Sequence, residues 1–187
     1  MAFWLFISVI IIQRLLELIV AKQNEKWMKS QGAVEFGQKH YPVIVIVHLL
    51  FFFVLITEVQ YFHKDISPLW PLLLFAFLAA QAIRIWALLS LGRYWNTKIL
   101  VLPGASVVKK GPYKFLKHPN YCVVALEFVI IPIMFQAYFT AIIFSLLNIL
   151  VLSIRIPVEE RALKKFTEYE ISFKRKNRFI PNNVNKL

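Results

Sequence analysis

Two short stretches of this sequence bring together residue types that bind charged ligands. The first, GPYKFLKHPNY, runs from Gly111 to Tyr121. A proline favours an extended residue before it and can begin the helix that follows. Pro119 therefore predicts that His118 is held at the start of a helix. A simple helix cap beside an interfacial aromatic residue is the structural alternative.

The second stretch, RIPVEER, runs from Arg155 to Arg161 and contains the adjacent carboxylates Glu159 and Glu160. Arg155 and Glu159 share a face if one helix continues through Pro157, a residue type that can also kink a helix. A carboxylate pair at the mouth of a helical bundle can hold a cationic amine or fix hydroxyl groups. A solvated helix start with an Arg155–Glu159 salt bridge is the alternative.

The elements that must position these residues are membrane-spanning helices. Of the 187 residues, 59% are hydrophobic and 17% are charged, well above the apolar content of about 45–50% in soluble domains. A helix needs about 20 residues to cross a hydrocarbon core of about 30 Å. The sequence thus predicts an all-α polytopic membrane protein of one domain, residues 1–187, and excludes an ordinary water-soluble enzyme. Its five spans are expected near residues 2–20, 41–62, 69–91, 121–136 and 138–154, with a chain reversal between Pro132 and Tyr138.

The distribution of lysine and arginine predicts the topology. Residues 21–40, 93–117 and 155–187 hold 19 of the 22 basic side chains, whereas the loop at 62–68 holds one. Since short basic loops stay in the cytosol, we expect a cell-membrane protein with an outer N-terminus and a cytosolic C-terminus. Residues 93–120 and 155–187 exceed the usual connection length of about 2–8 residues and are expected to be the cytosolic catalytic segments. We attribute the net charge of +12 to this topology and to anionic lipids, not to nucleic acid.

Several polar side chains lie inside the predicted spans, where they are energetically costly. Gln13, Arg14 and Glu17 share one helical face, and we expect Arg14 and Glu17 to pair and to dock the first helix. Arg84 and Glu127 lie in the third and fourth spans. Arg84 is expected to snorkel or to line a cavity, and neither residue is assigned a catalytic role.

The two stretches, separated by a hydrophobic hairpin, resemble the isoprenylcysteine carboxyl methyltransferase family of membrane S-adenosylmethionine enzymes. The matching sequence after the hairpin is RIPVEERALKKFTEYEISFKRKNRFIP, and the resemblance covers about residues 93–181. In the front half, RLLEL and GAVEFGQKHYP look like the bacterial branch. That branch includes O-methyltransferases that act with type III polyketide synthases on alkylpyrones and related phenolic lipids.

The resemblance implies that S-adenosylmethionine is the cofactor and that no metal takes part. It implies Arg155 and Glu159 as catalytic residues, with Arg155 pointing toward the substrate. Lys117 departs from the family pattern, because arginine usually precedes the His-Pro pair and lysine lacks its planar fork. The residues implied to bind the cofactor are Tyr113, His118, Tyr121, Glu159, Glu160, Lys98 and Tyr169.

The implied function is O-methylation of a lipid-tailed hydroxyl or enol acceptor, such as an alkylpyrone. Expected partners are this lipophilic acceptor, membrane lipids and a type III polyketide synthase of the same pathway, with no nucleic acid. Carboxyl methylation of prenylated cysteine is an alternative within the family. An NADPH-dependent membrane reductase and a transporter or scaffold are alternatives of other classes, and a transporter should concentrate polar residues at mid-membrane.

Overall fold

Six helices and one small sheet make up the fold, seen in a computed structural model that describes residues 1–173 and Arg178. Two 3₁₀ turns, at Gly92–Tyr94 and Gly111–Lys114, lie between the third and fourth helices. The mostly helical architecture that the sequence predicts is confirmed. In chain order the helices and strands are α1 (Ala2–Ser30), β1 (Val34–Phe36), α2 (Tyr41–Tyr61), α3 (Trp70–Leu91), β2 (Ile99–Val101), α4 (Pro119–Met134), α5 (Tyr138–Phe166) and α6 (Tyr169–Phe173).

Four helices, α1, α2, α3 and α5, are long and apolar enough to cross a membrane. The fourth apolar run forms α4, which has 16 residues and falls short of the usual span of about 20. The reversal expected between Pro132 and Tyr138 is present, because α4 ends at Met134 and Gln136 adopts a φ of 54° before α5 begins. Each of α2, α3 and α4 has a proline in its first turn, where the missing N–H is not needed.

Two helices extend beyond their predicted spans. Helix α1 continues from the apolar run to Ser30, because the residues that follow contain no glycine or proline to end it. Helix α5 passes through Pro157 and ends at Phe166. One helix therefore carries both Arg155 and Glu159, as their shared face requires.

The small sheet was not part of the predicted all-α fold. Strands β1 and β2 are antiparallel, with Val34 opposite Val101 and Phe36 opposite Ile99. Ile99 and Val101 pack with Ala162 of α5 in a separate hydrophobic cluster. The sheet thereby fixes the chain between α3 and α4 against the last turns of α5.

The main hydrophobic core lies between the spanning helices and is rich in phenylalanine. The rings of Phe51 in α2 and Phe128 in α4 have centroids 4.7 Å apart. At the end of the bundle opposite the sheet, the buried Glu58 carboxylate accepts hydrogen bonds from the Thr140 amide at 2.8 Å and the Thr140 hydroxyl at 2.6 Å. A carboxylate beside unpaired N–H groups stabilises the start of α5.

Candidate active site

A chain of hydrogen bonds joins α4 to α5 where α4 begins. The Tyr121 hydroxyl donates to the Glu159 carboxylate and accepts a hydrogen bond from Arg155 Nε at 2.7 Å. Arg155 Nη2 donates to the Thr97 carbonyl at 2.5 Å. The two charged groups of α5 are thus joined through a tyrosine hydroxyl. The alternative of a solvated helix start predicted a direct Arg155–Glu159 salt bridge, and the structure has this tyrosine-linked arrangement in its place.

His118 lies beside this chain and is 5% exposed. Its Nε2 is 3.1 Å from a Glu160 oxygen, and its Nδ1 is 3.9 Å from a Glu159 oxygen. The imidazole stacks on the Tyr121 ring, with centroids 5.3 Å apart and planes inclined by 23°. Arg178 donates two hydrogen bonds to Glu160, at 3.0 Å from Nε and 2.5 Å from Nη2. That charge-assisted contact raises the pKa of the Arg178 guanidinium.

The 3₁₀ turn before α4 brings Tyr113 to the same place. Gly111 begins this turn with a φ of 56°, and a Cβ there would lie 2.0 Å from Ser90 Oγ of α3, so only glycine allows the close contact. Tyr113 is buried, and Asn120 Nδ2 lies 3.4 Å from its hydroxyl. Burial and the nearby Glu159 charge raise the pKa of Tyr113, so its phenol stays protonated at neutral pH.

Two polar atoms at this site have no hydrogen-bond partner in the described part of the chain. They are the hydroxyl of Tyr169, which is 3% exposed, and Oδ1 of Asn120. Burial, followed by the charges of Glu160 and Glu159, raises the pKa of Tyr169, so this phenol is also neutral. A buried polar group without a partner costs about 1–3 kcal/mol. A fold that keeps such groups at one place commonly uses them to bind a ligand there.

Seven of the eight predicted site residues lie together at one end of the bundle, and the eighth, Lys98, contacts other side chains. We call six of the seven the mouth cluster: Tyr113, His118, Tyr121, Arg155, Glu159 and Glu160. Tyr169 adjoins it. Lys98 instead has its Nζ 2.8 Å from Glu25 and 3.5 Å from Glu35. The hydrogen bond to Glu25 raises the pKa of Lys98, and its predicted contact with the cofactor stays a prediction.

Sequence reasoning missed two contributors to the mouth cluster. Thr97 acts through its backbone carbonyl, which every residue type carries, so no sequence pattern marks it. Arg178 lies in the basic run KRKNR, where nothing distinguishes it from its neighbours. A side chain that reaches back 18 residues to Glu160 could be found only from the fold.

A second polar group, the intramembrane cluster, lies among the spanning helices. It consists of Gln13, Arg14, Glu17, Gln81, Arg84 and Glu127. Arg14 contacts Glu17 at 2.7 Å, as expected, and Glu127 at 2.5 Å. Arg84 is buried and contacts the same two carboxylates, at 2.5 Å for Glu127 and 3.3 Å for Glu17, so it does not snorkel. The cluster joins α1 to α3 and α4.

Comparison with known proteins agrees with the motifs. Residues 72–165 match the model of the isoprenylcysteine carboxyl methyltransferase (ICMT) family. The chain is 52% identical to YpbQ of Bacillus subtilis, described as uncharacterized, across 88% of this chain and 98% of YpbQ. An uncharacterized protein of Haemophilus influenzae is 26% identical across 80% of this chain and 88% of its own length. No solved structure matches the chain. The chain belongs to the isoprenylcysteine carboxyl methyltransferase family, a family of membrane methyltransferases.

Proposed function

We propose that the protein transfers a methyl group from S-adenosylmethionine to an oxygen of a lipid-tailed hydroxyl or enol compound. The mouth cluster is the observation that supports this proposal most strongly. Its carboxylates, phenols and fixed guanidinium converge at one end of a bundle whose long helices expose many large apolar side chains. Family membership makes methyl transfer the reaction class that fits this arrangement.

The residues present fit S-adenosylmethionine. Glu159 and Glu160 offer carboxylates to an ammonium group or to ribose hydroxyls, and the Glu159 side chain is 26% exposed, so a ligand can reach it. The Tyr169 hydroxyl offers a donor and Asn120 Oδ1 an acceptor, both unpartnered among the described residues. Because the cofactor carries several polar groups and a positive charge, this set of carboxylates, phenols and amide suits it.

When bound, the cofactor supplies an electrophilic methyl group whose carbon–sulfur bond breaks, the electron pair staying on sulfur, as the acceptor oxygen forms the new bond. An enol or phenol acidic enough to ionise at neutral pH has already lost its proton to water. The enzyme therefore contributes chiefly by positioning the reactants. Arg155 is suited to orient the acceptor anion, since Tyr121 and the Thr97 carbonyl hold its guanidinium in place. Glu159 in turn fixes the Tyr121 hydroxyl.

The apolar surface of the bundle supports an acceptor that resides in the bilayer. Four helices are long and apolar enough to span it, and the mouth cluster lies at the end of α5 that also carries the small sheet. The polar mouth cluster suits an acidic head group at Arg155, and the apolar spanning helices suit an apolar tail. We propose alkylpyrones as acceptors of this kind, with the type III polyketide synthases that make such compounds as pathway partners.

We further propose that the mouth cluster faces the cytosol and that the N-terminus lies outside. The basic residues support this orientation, since 19 of 22 lie in residues 21–40, 93–117 and 155–187, which include the ends of α1 and α5 on that side. Reporter fusions after residue 187 and within residues 62–68 test it. A C-terminal reporter active only outside the cell contradicts the orientation.

The experiment for the proposed function compares membranes from cells with and without the gene, both supplied with deuterated methyl donor. Mass spectrometry of the lipid extract should show a labelled methyl ether only where the protein is present. The same product should form with purified protein, S-adenosylmethionine and a long-chain 4-hydroxy-2-pyrone. An Arg155→Ala variant, compared at equal folded fraction, lacks the orienting cation and should form much less product. Label on prenylated cysteine instead of a lipid would identify the carboxyl methyltransferase alternative.

A further inference from the structure

The carbonyl that accepts a hydrogen bond from Arg155 belongs to a short segment between the 3₁₀ turn at Gly92–Tyr94 and strand β2. This segment, residues 95–98, is neither helix nor strand. An irregular segment keeps one conformation only where contacts from other parts of the chain hold it. We call residues 95–98 the Thr97 segment, after the residue whose carbonyl Arg155 contacts.

Helix α1 holds the first half of the Thr97 segment through two side-chain amides. Asn24 Nδ2 donates to the Trp95 carbonyl at 2.7 Å. Asn96 Nδ2 donates to the Ala21 carbonyl at 2.9 Å, and Asn96 Oδ1 accepts a hydrogen bond from the backbone amide two residues later, also at 2.9 Å. The backbone on both sides of Thr97 is thus fixed relative to the second half of α1.

Helix α2 holds Thr97 itself. Tyr41 is the first residue of α2, and its hydroxyl lies 3.1 Å from Thr97 Oγ1. Threonine is branched at Cβ and has few χ1 rotamers, so a hydrogen bond to Oγ1 restrains the orientation of the whole residue. Because the carbonyl that accepts from Arg155 is part of the same residue, Tyr41 restrains the direction of that carbonyl.

Arg155 depends on this carbonyl for its own orientation. Arginine has a long side chain with many rotamers, and holding it in one of them costs conformational entropy. Nε donates to the Tyr121 hydroxyl at 2.7 Å, and Nη2 donates to the Thr97 carbonyl at 2.5 Å. Nη1 makes no hydrogen bond within the part of the chain that the structure describes. These contacts leave Nη1 available to an acceptor anion.

We infer that Tyr41 is a positioning residue for methyl transfer and acts on Arg155 through Thr97, an inference that rests on the proposed function. A guanidinium that is already held in one direction loses less entropy when the acceptor binds and reacts. Tyr41, like Ala21 and Asn24, lies outside residues 72–165, which match the family model. The first two helices therefore help to build the site as well as the membrane-spanning bundle.

The first test removes single hydroxyl groups. Tyr41→Phe and Thr97→Val each delete one hydroxyl and nearly keep the shape of the side chain. With purified protein in detergent and a long-chain 4-hydroxy-2-pyrone, each should lower kcat about fivefold, the loss expected for one hydrogen bond. The affinity for S-adenosylmethionine, measured at equal folded fraction, should stay within about twofold.

Tyr94→Phe is the matched control for Tyr41→Phe. Tyr94 lies beside the Thr97 segment, is 38% exposed and packs its ring on Trp27. Its hydroxyl makes no hydrogen bond among the described residues, so kcat should not change. An equal loss of kcat in Tyr94→Phe overturns the inference. So does a loss of cofactor affinity that parallels the loss of kcat in Tyr41→Phe and Thr97→Val.

Combined variants test whether the two hydroxyls act on the same group. Since both belong to one hydrogen bond, Tyr41→Phe together with Thr97→Val should lower kcat about fivefold, not about 25-fold. In an Arg155→Lys background, Tyr41→Phe should cause no further loss. Losses that multiply in either combination overturn the inference, because Tyr41 would then act by another route.

A spectroscopic measurement distinguishes failure of this inference from failure of the proposed function. In protein with isotope-labelled arginine, the Arg155 resonances are assigned by their absence from Arg155→Lys. Exchange between Nη1 and Nη2, which requires rotation of the guanidinium, should be about fivefold faster in Tyr41→Phe and Thr97→Val than in the native protein or Tyr94→Phe. That result supports the link from Tyr41 to Arg155 even if no methyl group is transferred. An equal exchange rate in all these proteins overturns the inference and leaves the proposed function standing.

Discussion

The intramembrane cluster and the mouth cluster both join acidic and basic side chains across helices, yet they differ in what surrounds them. In the first, two arginines and two glutamates neutralise one another, and the Glu127 side chain is 5% exposed. In the second, the Glu159 side chain is 26% exposed, and Tyr169 and Asn120 nearby each have a polar atom without a partner among the described residues.

This difference fits a cluster that holds helices together on one side and, on the other, the cluster that we propose binds a ligand. Within the described residues, Arg84 Nε is the one buried atom of the intramembrane cluster without a hydrogen-bond partner, and both of its glutamates accept hydrogen bonds from both of its arginines. The residues of the mouth cluster come from the 3₁₀ turn at Gly111–Lys114, from the start of α4 and from α5, and Arg178 contacts the cluster through Glu160. Stability should depend most on the first cluster and chemistry on the second.

The largest effect is expected from Glu127→Ala. This change leaves Arg14 and Arg84 buried with half of their negative charge removed, which should destabilise the fold by about 3–5 kcal/mol. Thermal unfolding in detergent measures it, with Glu170→Ala as the control because Glu170 is mostly exposed. If Glu127→Ala keeps the native Tm but abolishes methyl transfer, Glu127 takes part in the reaction. The division into a stabilising intramembrane cluster and a reactive mouth cluster would then be wrong.

Glu159→Gln should act on binding rather than on folding. It removes a charge-assisted hydrogen bond to the cofactor, worth about 1.5–3 kcal/mol, or roughly a 10- to 150-fold loss of affinity for S-adenosylmethionine. Tm should change little, since the side chain is partly exposed and Tyr121 can still donate to the amide oxygen. Calorimetry at equal folded fraction gives the affinity. Unchanged affinity with a lowered Tm would assign Glu159 to the fold alone.

Arg155→Lys should lower turnover of the acceptor and leave the affinity for the cofactor nearly unchanged. Lysine keeps the positive charge but cannot donate to Tyr121 and to the Thr97 carbonyl in the same geometry. Turnover should fall about tenfold, the loss expected for one oriented hydrogen bond, while the affinity for S-adenosylmethionine stays within about twofold. Parallel losses of affinity and turnover would place Arg155 in the cofactor site.

Lys98→Met should have the smallest effect. Its partners, Glu25 and Glu35, lie with it near the surface, where such pairs contribute about 0–1 kcal/mol. Affinity for S-adenosylmethionine should not change measurably. A loss of tenfold or more would show that Lys98 leaves Glu25 to bind the cofactor, as the family resemblance implies.

The sequence predicted the parts of the fold and site that periodicity and residue type determine. The apolar runs located the helices, and the spacing of Arg155 and Glu159 placed both on one face of α5. The β1–β2 pairing could not be predicted, because each strand has three residues and is stabilised by contacts with α5. Nor could the contact between Arg178 and Glu160, because it joins side chains 18 residues apart in the sequence.

The most direct test of the central claim is calorimetric titration of the purified protein with S-adenosylmethionine, followed by the same titration in the presence of NADPH. The account predicts saturable binding of S-adenosylmethionine that NADPH does not reduce and that Glu159→Gln weakens at least tenfold. Tight binding of NADPH, with no heat from S-adenosylmethionine, would contradict the account and favour a membrane reductase.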